Sequence, residues 1–201
     1  MKRVIHDTLI LTVLTLVLGF LLGMVYNVTK DPIEAAETEA KQAAFREVFK
    51  EAASFEALEG FDRQKADSFV SAKGFKDSID DIQIARDSSG EALGYVITVT
   101  AKDASQGAVT YSVGIRNDGT VNGYSITDIS ETPGLGMKAT EEEFSSQFRD
   151  KLVDAFKVVK QTPAGDDEIE AISGATITSK AIADGVNAAK VYFKEFLMGG
   201  E

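Results

Sequence analysis

Four hydroxyl side chains crowd one short stretch of this chain. In AISGATITSKAI, residues 171–182, Ser173, Thr176, Thr178 and Ser179 stand between an apolar run and the start of a helix. Two kinds of chemistry fit them. Serine and threonine oxygens accept the orphan amide hydrogens that open a helix, which accounts for one of the four hydroxyls and two at most. Alternatively one of them carries a bond. Gly174 and Ala175 leave room beside Thr176, and the amides opening the helix turn their partial positive charge toward the same space, a place suited to an esterified phosphate. A second stretch, ETPGLG at residues 131–136, also stands apart from its surroundings. Pro133 fixes one backbone angle there, while Gly134 and Gly136 permit conformations and close approaches that a side chain would block. Read locally, it serves equally well as a plain strand-to-helix turn.

Composition limits what else can act. The chain has no cysteine and one histidine, His6, so disulfides, thiolate metal sites and cysteine-ligated iron–sulfur clusters are excluded. Any redox or metal work requires a bound cofactor. The net charge of -11, from 32 acidic against 21 basic residues, repels phosphate backbones and argues against nucleic-acid binding. With 201 residues, 44% hydrophobic and 26% charged, the chain can build one globular domain with an appendage.

The appendage lies at the front. Thr8 to Val28 is a run of 21 uncharged residues, and at about 1.5 Å per residue it crosses a hydrocarbon core of about 30 Å. It is longer than the apolar core of a secretory signal and has no small-residue cleavage site, so it reads as an anchor. Lys2 and Arg3 before the span favour a cytoplasmic amino terminus. Residues 1–30 hold Lys2, Arg3 and Lys30 against Asp7, so residues 31–201 carry -13 and face outward. The expected organisation is a cytoplasmic start (1–7), a transmembrane helix (8–28), a helical connector (29–53) and an extracytoplasmic domain (54–201).

Within the body, Pro32 opens a helical segment through PIEAAETEAKQAAFREVFKEA, with a break expected at the proline. Residues 54–78 show no firm pattern. DIQIARDSSGEALGYVITVTAKD then alternates as two strands around a Ser-Ser-Gly turn, and VTYSVGIRNDGTVNGYSITDIS repeats the pattern around Asn117, Asp118 and Gly119. Four strands in meander order predict an antiparallel sheet. Phe144, Phe148, Leu152 and Phe156 recur at helical spacing, as do Ile182, Val186, Ala189, Phe193 and Phe196 in a helix from Ser179 to Leu197. The predicted class is α+β, with the helices on one side of the sheet.

These motifs carry a resemblance. EAISGATITS is similar to the signature of the FMN-binding domain, an acidic residue, two residues, then Ser or Thr, Gly, Ala and a Thr or Ser. The anchor, GYVITVTAKD, VTYSVGIRNDGTVNGYSI, ETPGLG and SGATITS stand in that family's order. The chain resembles the G subunit of the Rnf complex, the ion-translocating ferredoxin:NAD oxidoreductase of bacterial membranes, whose near relative is the C subunit of the sodium-pumping NADH:quinone reductase. The resemblance implies FMN bound covalently through a phosphoester on Thr176, installed by a flavin transferase. Around it would stand Ser173, Gly174, Ala175, Thr178 and Ser179. Contacts from Glu131, Thr132, Gly134, Leu135 and Gly136 would complete the site, the ring meeting Thr132, Gly134 and Leu135. The implied partners are the A, D and E membrane subunits and the B and C peripheral subunits, and the implied role is an electron relay without turnover by the isolated chain. Two positions depart from the pattern: Glu170 stands where aspartate is usual, and Ile129 where relatives often have histidine. An anchored binding module with a mere helix cap, or a stand-alone FMN-domain protein of another respiratory or regulatory system, would share some of these features.

Overall fold

The computed structural model describes residues 1–198. It divides into two compact units, Met1–Ala40 and Lys41–Glu201. Helix α1 runs from Lys2 to Val48 and contains Pro32 without interruption. The break expected at the proline does not occur. One missing amide donor is not enough to stop a helix flanked by an apolar run and by the strong helix formers of EAAETEAKQAA. Its side chains from Met1 to Ala43 are exposed or nearly so, including Leu9, Leu16, Phe20 and Leu22, and the helix is long and apolar enough to cross a membrane.

The second unit is built on an antiparallel sheet with strand order β1-β2-β3-β4-β5. The strands are Ser54–Ala57, Ser78–Arg86, Ala92–Ala101, Val109–Arg116 and Val121–Asp128. The last four are the predicted meander. The first was not read from the sequence, and neither was helix α2, Arg63–Ala72, whose amino terminus is capped by the Asp62 carboxylate accepting from the amides of Gln64 and Lys65.

Alternation along the strands serves two faces. Tyr95, Ile97 and Val99 of β3 point into the main core with Tyr111, Val113 and Ile115 of β4, beneath helix α4, Thr176–Phe196. Val96 points the other way, to a smaller cluster of Phe45, Val48, Phe49 and Ala85. Helical residues therefore cover both faces, not one: the last turns of α1 bury the side of the sheet that α4 leaves free. Asn122 Nδ2 donates to the Val48 carbonyl at 2.9 Å, fixing that end.

The long helix expected around residues 141–156 is absent. Its place is taken by a 3₁₀ turn (Gly136–Thr140), the short helix α3 (Glu142–Ser145) and a second 3₁₀ turn (Ser146–Phe148). Asp150 has φ 54, outside the right-handed helical region, and the backbone of Lys151 pairs with Val121 in both directions. Phe144, Phe148 and Phe156 reach the core from separate turns, whereas Leu152 is exposed. Two short parallel strands, β6 (Lys157–Val159) and β7 (Glu168–Glu170), then lead into α4.

Candidate functional site

The segment after β7 is held from three sides. The Ala171 amide donates to the Val159 carbonyl at 2.8 Å, the Ala175 amide to the Ile172 carbonyl at 2.9 Å, and the Ile172 amide to Ser179 Oγ at 3.0 Å. Ser179 Oγ also donates back to the Ala175 carbonyl at 2.9 Å. Ser179 is thus fully buried and works as a staple behind the loop. Gly174 sits at φ 78, a left-handed conformation that suits glycine, and packs close to the Leu135 side chain.

Helix α4 starts at Thr176, three residues earlier than the periodicity indicated, because its first turn buries the hydroxyl residues Thr178 and Ser179 and not the apolar residues whose spacing marks a helix. The residue before it, Ala175, has no side-chain oxygen, and no hydroxyl caps the helix from that position. The amides of Thr176, Ile177 and Thr178 meet no acceptor among the described residues. Free amides at the positive end of a 21-residue helix form a cradle for an anionic oxygen. Ser173 and Ile177 are exposed and Thr176 is half-buried, whereas Thr178 is enclosed and its Oγ1 has no hydrogen-bond partner.

The second predicted loop lies opposite. Thr132, Pro133, Gly134 and Leu135 are exposed, and the Thr132 carbonyl accepts from the amides of Leu135 at 3.1 Å and Met137 at 3.2 Å, closing a turn through the left-handed Gly134. Glu131 and Gly136 are buried. The two loops, some forty residues apart in sequence, form one cleft of about 340 Å³, bordered by Glu131, Thr132, Leu135 and Gly136 on one side and by Gly174 to Thr178 on the other. That size is in the range of small-ligand sites. A third wall comes from Ser105 and Gln106 in the β3–β4 connection, and Ile177 adds an apolar rim facing Leu135. Neither was read from the sequence. The signal available for the third wall was Glu131 itself, since an acid following an apolar strand needs donors from elsewhere. Glu170, the acidic residue of the signature, lies outside this cleft and is clamped through its backbone by Gln147, which donates to its carbonyl and accepts from its amide.

The free amides beside a half-buried threonine hydroxyl fit a phosphate ester, and the adjoining cleft leaves room for a flat group against Leu135 and Ile177. Such a site can take a cofactor that carries a phosphate group. Residues 105–190 match the FMN-binding domain and residues 1–48 match the RnfG N-terminal region. The chain is 35% identical over 92% of its length to the G subunit of the Na(+)-translocating ferredoxin:NAD(+) oxidoreductase complex of Acetobacterium woodii, of which it covers 89%. It is 31% identical over 89% of its length to the G subunit of the proton-translocating ferredoxin:NAD(+) oxidoreductase complex of Clostridium ljungdahlii, covering 85% of that protein. The chain belongs to the family of G subunits of ion-translocating ferredoxin:NAD(+) oxidoreductase complexes. In fold it is similar to the C subunit of the Na(+)-translocating NADH-quinone reductase from Parabacteroides distasonis, with a TM-score of 0.53 at 22% identity over 75% of this chain and 79% of that one.

Proposed function

We propose that this chain is the FMN-carrying electron relay of an Rnf complex, with the flavin esterified through its phosphate to Thr176 Oγ. The observation that carries the reading is the meeting of the two loops at the start of α4, with Thr176 beside three amides free to hold phosphate oxygens. FMN, when bound, supplies reversible one- and two-electron exchange. The residues of this chain hold and orient it: Ser173, Gly174 and Ala175 give the ester clearance, and Thr178 and Ser179 form the floor behind it. Glu131, Thr132, Gly134, Leu135 and Gly136 form the facing wall. The ester leaves the ring free to meet donor and acceptor in turn, and it prevents loss of the cofactor outside the cell.

The partners in this reading are the complex's A, D and E membrane subunits, its B and C peripheral subunits, and a flavin transferase during maturation. The domain faces away from the cytoplasm, since Lys2 and Arg3 precede the apolar span and the remainder of the chain is acidic. The relatives from Acetobacterium woodii and Clostridium ljungdahlii are named for different coupling ions, and nothing lining the cleft selects between them.

Intact mass of the full chain from a flavin-loading host tests the ester directly. An added FMN, mapped to the peptide containing Thr176, is the expected result. Unmodified protein, or flavin on Thr178 or Ser179, would overturn the assignment. A reporter fused after Glu201 should be active only when exported.

A further inference from the structure

Glu131 is 6% exposed, yet it stands on the wall of a cleft that is otherwise lined by neutral side chains. Its Oε1 accepts hydrogen bonds from two consecutive backbone amides of the β3–β4 connection, Ser105 at 2.7 Å and Gln106 at 3.2 Å. Its other oxygen and its stem lie against Gly136, where an added Cβ would come within 2.5 Å of Oε2 and 2.8 Å of Cβ and Cδ. The carboxylate is therefore wedged between the loop it belongs to and a hairpin twenty-five residues upstream. Two of the cleft's three walls meet on this one side chain. A carboxylate that is almost out of solvent and receives two amide hydrogens is fixed in place, and water screens its field less than it screens that of a fully solvated side chain.

We propose that Glu131 is a positioning residue of the flavin cleft: it pins the hairpin that carries Ser105 and Gln106 against the loop after β5, and its charge holds the midpoint potential of the bound flavin below the value that a neutral side chain would give. The inference rests on the FMN reading above. A negative charge on the cleft wall would oppose any negative charge gained when a flavin held there is reduced, which fixes the sign. Pinning and charge separate in three variants. Glu131→Gln keeps an oxygen that can accept from both amides but carries no charge. Glu131→Asp keeps the charge but is one methylene too short to hold both amides in the same place. Glu131→Ala loses both features.

The experiment uses the full chain in detergent. Amide-hydrogen exchange at Ser105 and Gln106 is followed in the flavin-free Thr176→Ala background, and the midpoint potential is followed by spectroelectrochemical titration of the flavin-loaded chain. Glu131→Ala should accelerate exchange at both amides by at least about tenfold, while Glu131→Gln leaves it near the starting value. The potential should shift to more positive values in Glu131→Gln and stay near the starting value in Glu131→Asp. An unchanged potential in Glu131→Gln, or unchanged exchange in Glu131→Ala, overturns the proposal. Absence of flavin from the unsubstituted chain by mass would defeat the FMN reading and the charge role together, whereas the exchange result would then judge the pin alone.

Discussion

Helix α4 does two different things along its length. Its first two residues, Thr176 and Ile177, are open to the cleft and have amides with no partner among the described residues, whereas from Thr178 to Phe193 most of its side chains are buried against β3 and β4. In the packed stretch Tyr111 Oη donates to the Ile182 carbonyl at 2.8 Å, and Gly185 lets that ring pass so closely that an added Cβ would lie 2.1 Å from the hydroxyl oxygen. The contrast shows where a helix can be chemically useful. Its interior has spent its hydrogen-bonding capacity on itself, and only its first turn has donors left to offer.

Thr176→Ala tests that contrast most severely. It should remove all covalent flavin by mass, and with it ferredoxin-dependent NAD reduction by the assembled complex, while thermal stability changes by less than about 1 kcal/mol because the side chain is only half-buried. Retention of an ester-linked flavin would place the chemistry elsewhere. Gly185→Ala is the reverse experiment. Overpacking against Tyr111 should outweigh the better helix propensity of alanine and cost about 2–3 kcal/mol in denaturant unfolding, leaving the flavin content of the folded fraction unchanged. An equally stable variant would mean that the packed stretch is looser than its contacts indicate.

The third test concerns pH. Asp77, next to β2, is buried against the α4 region, and burial, then the nearby Asp184, pushes its pKa from 3.8 to about 6, with Asp103 adding to the shift and Lys102 opposing it. Between those values the folded chain holds a proton that the unfolded chain has released. This group therefore lowers stability as pH rises through the window, and the cost is complete above it. Asp77→Asn should stabilise the chain by on the order of 1 kcal/mol at pH 7 and leave it unchanged below the window, as read by thermal unfolding at both pH values. The smallest effect is expected from Thr178→Val, which removes an enclosed hydroxyl that has no partner while keeping the branched shape. Stability should stay level or rise by up to about 1 kcal/mol, with the covalent flavin retained.

Much of this was legible in the sequence, and the exceptions have physical reasons. Strands β2 to β5 and their turns follow from alternation and from Gly90 and Gly119, because each strand places its own core residues. The two loops were legible as places where glycines and hydroxyls exceed what packing needs. The helix expected through Phe144, Phe148 and Phe156 was not there, because three buried aromatics at helical spacing can also be delivered by three separate turns. The spacing does not reveal that Asp150 leaves the helical region. Strand β1 was missed because it lies at the sheet edge and buries little, with the pattern of one half-buried residue among exposed ones. The start of α4 was placed too late because its first turn is not amphipathic in the way a packed turn is. For the third wall the sequence offered only Glu131, an acid in want of donors, and not its partners, because the amides of Ser105 and Gln106 are brought to it only by the fold.

The position of α4 in the chain also sets an order of events. It follows every strand and every other helix, and its docking depends on partners far upstream, such as Tyr111, 71 residues before the carbonyl it bonds. The hydroxyl of Thr176 can stand beside its three amides and opposite Leu135 only after the sheet exists and this last helix has settled on it. On the reading proposed above, in which Thr176 is the acceptor, an enzyme that recognises the assembled cleft would pass over unfinished or misfolded copies, and cofactor attachment would double as a checkpoint on folding.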